Sequence, residues 1–122
     1  MKQRDVRAWL FDIIDAAEYI LEITDGKDFS TFVDDRALRQ LVERNLELIG
    51  EAVGLLIRSA PDFQHRISQP RQIIGLRNRL IHAYFDVDFA ALWNVVQRDL
   101  PVLLQEATQM LSEHNAHEES AE

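Results

Sequence analysis

The stretch DDRALRQLVERNLELIGEAVGLLIR, residues 34–58, decides the fold. Leu38, Leu41, Val42, Leu46, Ile49, Ala52, Val53, Leu56 and Ile57 recur at spacings of three and four, the period of an α-helix, and they cover more than one of its faces. A helix that is apolar on several sides needs several neighbours, which is the position of a central helix in a bundle. Asp34 or Asp35 offers a side-chain oxygen to the free N–H groups of its first turn. Gly50 and Gly54 stand one turn apart inside it. Glycine costs a helix interior about 1 kcal/mol, so the pair marks a close approach by another backbone, either within the bundle or from a second subunit.

Working outward, a first amphipathic helix is expected from about Lys2 to Thr24, with Val6, Leu10, Ile13, Ile14, Ala17, Ile20, Leu21 and Ile23 on its apolar stripe and Asp25-Gly26 as its stop. The connection KDFSTFVDD supplies Phe29 and Phe32 as plugs for the core. After the loop SAPDFQHRISQP a shorter helix starts near Pro70, where a missing N–H costs nothing, and ends around RNRLIH. Asp86 or Asp88 caps a fourth helix running from Phe89 past Leu111, and Pro101 inside it is expected to kink or divide it. No stretch alternates apolar with polar long enough for a strand. The expected architecture is all-α: one bundle of four to five helices over residues 1–112, followed by a polar, acidic tail over 113–122 that reads as flexible.

Hydrophobic residues make up 47% of the 122, enough to bury a core. The chain has no cysteine, which excludes disulfides and thiolate metal sites and makes the cytoplasm the expected compartment. The basic start MKQRDVRAW is interrupted by Asp12 and Asp15 before it becomes a signal-peptide core, so it reads as mature protein, and no apolar run is long enough for a membrane span. A net charge of −8 argues against a broad nonspecific nucleic-acid surface. Between Arg58 and His82, however, Arg58, Arg66, Arg71, Arg77 and Arg79 face the single acid Asp62, a local balance of +4 against −12 for the remainder. Arginine's planar fork suits phosphate, which makes Arg66, Arg71 and Arg79 candidate RNA contacts.

The chemistry concentrates in RNRLIHAY, residues 77–84. On a regular helix Arg77 and Tyr84, seven apart, fall nearly in register, while Asn78 and His82, four apart, share the adjacent stripe. A histidine can pass a proton near neutral pH, and an arginine can hold a phosphate through two parallel hydrogen bonds. With RNA as substrate the 2′-hydroxyl supplies the nucleophile, so proton transfer and stabilisation of charge on phosphate suffice and no metal or cofactor is required. One histidine per chain falls short of a general base and a general acid, a shortage that a two-fold dimer removes by bringing two copies of RNRLIH to one cleft. His65, His114 and His117 read as solvated residues of a loop and a tail.

The stretches GLRNRLIHAYFDVD, RNLELIGEAV and LWNVVQRDLPVL together resemble the HepT-like branch of the HEPN superfamily, small helical ribonuclease toxins of bacterial and archaeal toxin–antitoxin modules. The resemblance covers about residues 5 to 112. The family signature is arginine, a polar residue, three more residues, histidine, any residue and tyrosine, and Arg77, Asn78, His82 and Tyr84 match it. It implies a HEPN-type bundle that forms homodimers and a metal-independent ribonuclease, with Arg77 and His82 in a composite cleft and Asn78 supporting them. It also implies a partner, an MntA-like minimal nucleotidyltransferase antitoxin that attaches AMP to Tyr84, alone or in a higher assembly. Bulky negative phosphate beside Arg77 would compete with RNA for the same cation. The alternative from another class is a noncatalytic helical module that binds or regulates a nucleotidyltransferase.

Overall fold

A computed structural model describes residues 5–121, apart from the side chains of residues 84 and 118–121. Asp5 starts the first helix, α1 (Val6–Thr24), by accepting the Arg7 N–H at 2.9 Å, and its carboxylate also pairs with the Arg7 guanidinium at 2.8 Å. The hydrogen bond from the Arg7 side chain, more than any other contact, holds the Asp5 carboxyl down at about 2. Gly26, at φ 72°, turns the chain out of the helix end in a conformation that favours glycine.

The connection then forms a short helix of its own, α2 (Phe29–Asp34), because Asp28 caps it by accepting the Thr31 N–H at 2.9 Å. That hydrogen bond also lowers the Asp28 carboxyl below its ordinary range. Of the two expected plugs, Phe32 is fully buried with its ring 5.0 Å from that of Trp93, whereas Phe29 stays exposed at the start of α2 and plugs nothing. Asp35, rather than Asp34, caps the central helix α3 (Arg36–Ser59) through the Leu38 N–H at 3.0 Å.

The core lies along α3. Leu10, Ile13, Ala17 and Ile20 of α1 pack on one side of it, and Leu100, Leu103, Ala107 and Met110 of the C-terminal helix, which lies against α1, complete the core. On its other side α3 carries α4 (Pro70–His82), which lies at the margin of the bundle and fully buries only Leu80. Between them the chain makes a 3₁₀ turn over Pro61–His65 and passes through Gln69 at φ 54° before Pro70 opens α4. The loop is tied to the C-terminal helix by the Ser68 N–H and hydroxyl, which donate to Glu106 at 3.1 and 2.8 Å, and by an Arg66–Glu113 ion pair at 2.8 Å.

Asp88, rather than Asp86, caps α5 (Phe89–Asn94), accepting the Ala90 N–H at 2.8 Å. Pro101 neither breaks nor divides the helical run that contains it. The ladder instead widens into a π-helical turn over Val95–Asp99, where the Leu100 N–H donates to the Val95 carbonyl five residues back, and then continues as α6 (Leu100–Ala121). Proline has no N–H to complete the ordinary bond four residues back, and a wider turn absorbs that loss. The polar stretch after 112 carries on as helix to Ala121, with the Glu113 carboxyl held below its ordinary range first by Gln109 and then by Arg66. With α5, the π turn and α6 counted as one, five helices form the described chain, and no strand occurs among the described residues. No helix among the described residues is long and apolar enough to cross a membrane.

Candidate active site

The residues of RNRLIHAY are placed by the packing of α4 on α3. Ile73, Ile74 and Leu76 are half-buried and give α4 its apolar side, and Arg77 continues that side toward its C-terminal end. The fit is tightest at Gly50: a β-carbon there would lie 2.3 Å from the Arg77 β-carbon, 3.0 Å from its γ-carbon and 3.2 Å from the Ile73 carbonyl. The close approach expected from the glycine pair therefore occurs inside the chain, and its partner is the motif arginine. Gly54 is different, since a β-carbon there would meet the Ile74 side chain at an ordinary 3.9 Å.

Held in this way, Arg77 is half-buried. Its Nη1 donates to Asn78 Oδ1 at 3.0 Å, and its Nε–H is buried with no acceptor. An arginine is rarely left so, because an unmade hydrogen bond of a buried donor costs about 1–3 kcal/mol. His82 lies in the exposed last turn of α4, next to the negative end of the helix dipole, and the Ala83 N–H closes the helix on the Arg79 carbonyl at 2.9 Å. Five residues of helix separate Arg77 from His82 by about 7.5 Å along the axis and about 140° around it.

The helix ends at His82, and Tyr84 already belongs to a 3₁₀ turn, Tyr84–Asp86, closed by the Asp86 N–H on the Ala83 carbonyl. The seven-residue register expected between Arg77 and Tyr84 is therefore interrupted at Ala83, whose φ of −138° is not helical. The side chain of Tyr84, the expected AMP acceptor, lies outside the described residues. Asn78 and His82 both sit within α4 and are both exposed. Close to His82 in the chain, two large apolar side chains are exposed, Ile81 at 43% and Phe85 at 97%.

The remaining arginines stand in different settings. Arg66 is paired with Glu113 on α6, Arg71 is exposed on the first turn of α4, and Arg79 lines a cavity of about 580 Å³ between α4 and the α5–α6 limb. That cavity is mostly apolar, walled by Ile49, Leu76, Leu92 and Val95 among others, and neither Arg77 nor His82 lines it. On α3, Arg44 and Glu47 form a surface pair at 3.1 Å, whereas Glu43 is buried, only 4% exposed. Glu43 is seven residues before Gly50 and so shares its stripe of α3.

The model of the family described as "Ribonuclease HepT-like" matches residues 13–110. A Methanocaldococcus jannaschii protein named as a candidate RNase is 37% identical over 108 residues, covering 87% of this chain and 96% of its own. A protein of Thermococcus cleftensis named "Probable ribonuclease HepT" is 36% identical over 104 residues, covering 83% and 91%. A further candidate RNase, from Caldanaerobacter subterraneus, is 31% identical over 105 residues, covering 86% and 93%. No solved structure matches the chain. The all-helical bundle, the RNRLIHAY signature at the end of α4 and a family match over most of the chain agree: this chain belongs to the HepT-like ribonuclease family.

Proposed function

We propose that this chain is a ribonuclease toxin that cleaves RNA without a metal, at a cleft completed by two copies of the motif. The observation that supports the reading is the setting of Arg77: its β- and γ-carbons are packed against Gly50 and its Nη1 is held by Asn78 Oδ1, so the place of the guanidinium is set before a substrate arrives. Such a group is prepared for an anionic oxygen. In the reaction, a histidine takes the proton of the 2′-hydroxyl as that oxygen attacks phosphorus. The bond from phosphorus to the 5′-oxygen breaks, and a second histidine protonates the leaving oxygen, giving a 2′,3′-cyclic phosphate and a 5′-hydroxyl. Arg77 stabilises the charge that gathers on the phosphoryl oxygens.

Two histidines require two copies of His82, and the 140° offset between Arg77 and His82 within one chain points the same way. The exposed Ile81 and Phe85 beside His82 supply the kind of apolar surface a second copy would cover. Control comes from adding AMP to Tyr84, two residues past His82, through a minimal nucleotidyltransferase partner, which sets negative phosphate where RNA phosphate would bind.

Expression of the chain with and without such a partner tests this. Wild type alone should arrest growth, His82→Ala should not, and the partner should restore growth while adding the mass of one adenylyl group to the wild type and none to Tyr84→Phe. Unimpaired growth with abundant, folded, unmodified wild type would instead favour the noncatalytic binding module.

A further inference from the structure

We infer that Gly50, on α3 and outside the signature, is a positioning residue for Arg77. The inference rests on the ribonuclease reading, in which Arg77 holds the scissile phosphate. Of the two glycines on α3, Gly50 alone leaves no space for a side chain: the atoms in the way are the Arg77 β- and γ-carbons, at 2.3 and 3.0 Å from an added β-carbon, and the Ile73 carbonyl at 3.2 Å. These are the root of a side chain and a piece of backbone, not a flexible tip that can swing aside. Any side chain at 50 must therefore move α4 away from α3 at Arg77 itself.

Two further features belong to the same contact. The Arg77 Nε is buried against the bundle without an acceptor while Nη1 donates to Asn78, so burial on one side and one hydrogen bond on the other hold the guanidinium. The close approach is also local, because Gly54, one turn on, has ordinary space and Gly75 on α4 has nothing within 4 Å. Helix packing alone does not demand a glycine at each of these places. The demand falls at the turn that carries the motif arginine, where a displacement of about 1 Å is enough to cost a reaction on the order of 100-fold.

The test compares Gly50→Ala with Gly54→Ala in the full chain. Gly50→Ala should lower kcat by about 10- to 100-fold with KM for RNA changed less than about threefold, while Gly54→Ala keeps both and melts no lower than wild type. A readout independent of catalysis is the Arg77 Nε–H resonance, assigned by its loss in Arg77→Lys. It should exchange slowly with solvent in wild type and in Gly54→Ala, and as fast as an exposed arginine in Gly50→Ala. Unchanged kcat and an unchanged, protected Nε–H in Gly50→Ala would overturn the inference.

If Gly50→Ala does not fold, Gly50→Ala combined with Arg77→Gly decides the matter. Recovery of folding locates the clash at Arg77 and supports the assignment, and continued failure places it at the Ile73 carbonyl and overturns it. Should wild type cleave no RNA, the ribonuclease reading fails, yet the Nε–H comparison still decides whether Gly50 sets the place of Arg77.

Discussion

Arg77 and Arg79 are two residues apart on α4 and leave the helix about 200° apart, one against α3 and the other beside the cavity under α5 and α6. On the α3 side the contact is closer than a β-carbon allows. On the α5–α6 side about 580 Å³ stays unfilled and Gly75 has open space around it. Identical side chains on one short helix thus stand in unlike settings: the first is half-buried and fixed, the second exposed at the cavity's edge. The comparison teaches that charge in the basic segment is not by itself the site. A guanidinium becomes useful for stabilising a transition state when the protein has already fixed its place, and of these two only Arg77 meets that condition.

The largest expected effect separates the two arginines directly. Arg77→Ala should lower the cleavage rate by about 10²–10³, as loss of a preorganised donor to a developing oxyanion does. Arg79→Ala should lower it by less than about threefold and act mainly through salt-dependent RNA affinity. Initial rates on one RNA at two salt concentrations measure both, and equal losses would break the distinction. Next comes the tie that bounds the cavity: Glu106→Gln weakens the pair of hydrogen bonds from Ser68 and should cost about 1 kcal/mol in a denaturant titration.

Gly75→Ala, on the loose side, should stabilise the fold by about 0.5–1 kcal/mol, since the new methyl group meets nothing and a helix-interior glycine is lost. A stability loss there would show α4 to be tightly held on both sides. The smallest effect lies far from α4. The Asp5 carboxyl, lowered from 3.8 to about 2 in the fold, contributes stability fully above about pH 4 and loses it as the pH falls toward 2. Asp5→Asn should flatten that part of the acid denaturation curve, and because the pair is exposed, added salt should shrink the difference.

Most of the fold was legible in periodicity, because α1, α3, α4 and the α5–α6 limb are each long enough to show a helical stripe. What escaped was short or non-local. Six residues of α2 hold too few turns to display a period, and the exposure of Phe29 depends on which side of that turn faces the core. Pro101 signals a disturbance in the ladder, but that it takes the form of a π turn one turn earlier, over Val95–Asp99, is not announced by any local residue pattern.

In the site, the signature was readable as spacing, and so was the pair of glycines. That Gly50 answers to Arg77 while Gly54 answers to little could not be read, since it requires the relative setting of two helices. Arg66 stands among the basic residues in sequence, yet its ion pair with Glu113 spans 47 positions, and nothing local announces it. The burial of Glu43 likewise depends on how α3 is covered by its neighbours, which no local pattern announces.

In the function proposed above, the Arg77–His82 motif makes this chain a ribonuclease that needs no metal. The most direct measurement is cleavage of total RNA in EDTA by purified wild type and His82→Ala, with the intact mass of each chain recorded beforehand to show that Tyr84 carries no AMP. Unmodified wild type should cleave RNA and leave ends bearing 2′,3′-cyclic phosphate, and His82→Ala should not cleave it. Intact RNA with folded, unmodified wild type, or equal cleavage by the variant, would contradict that function.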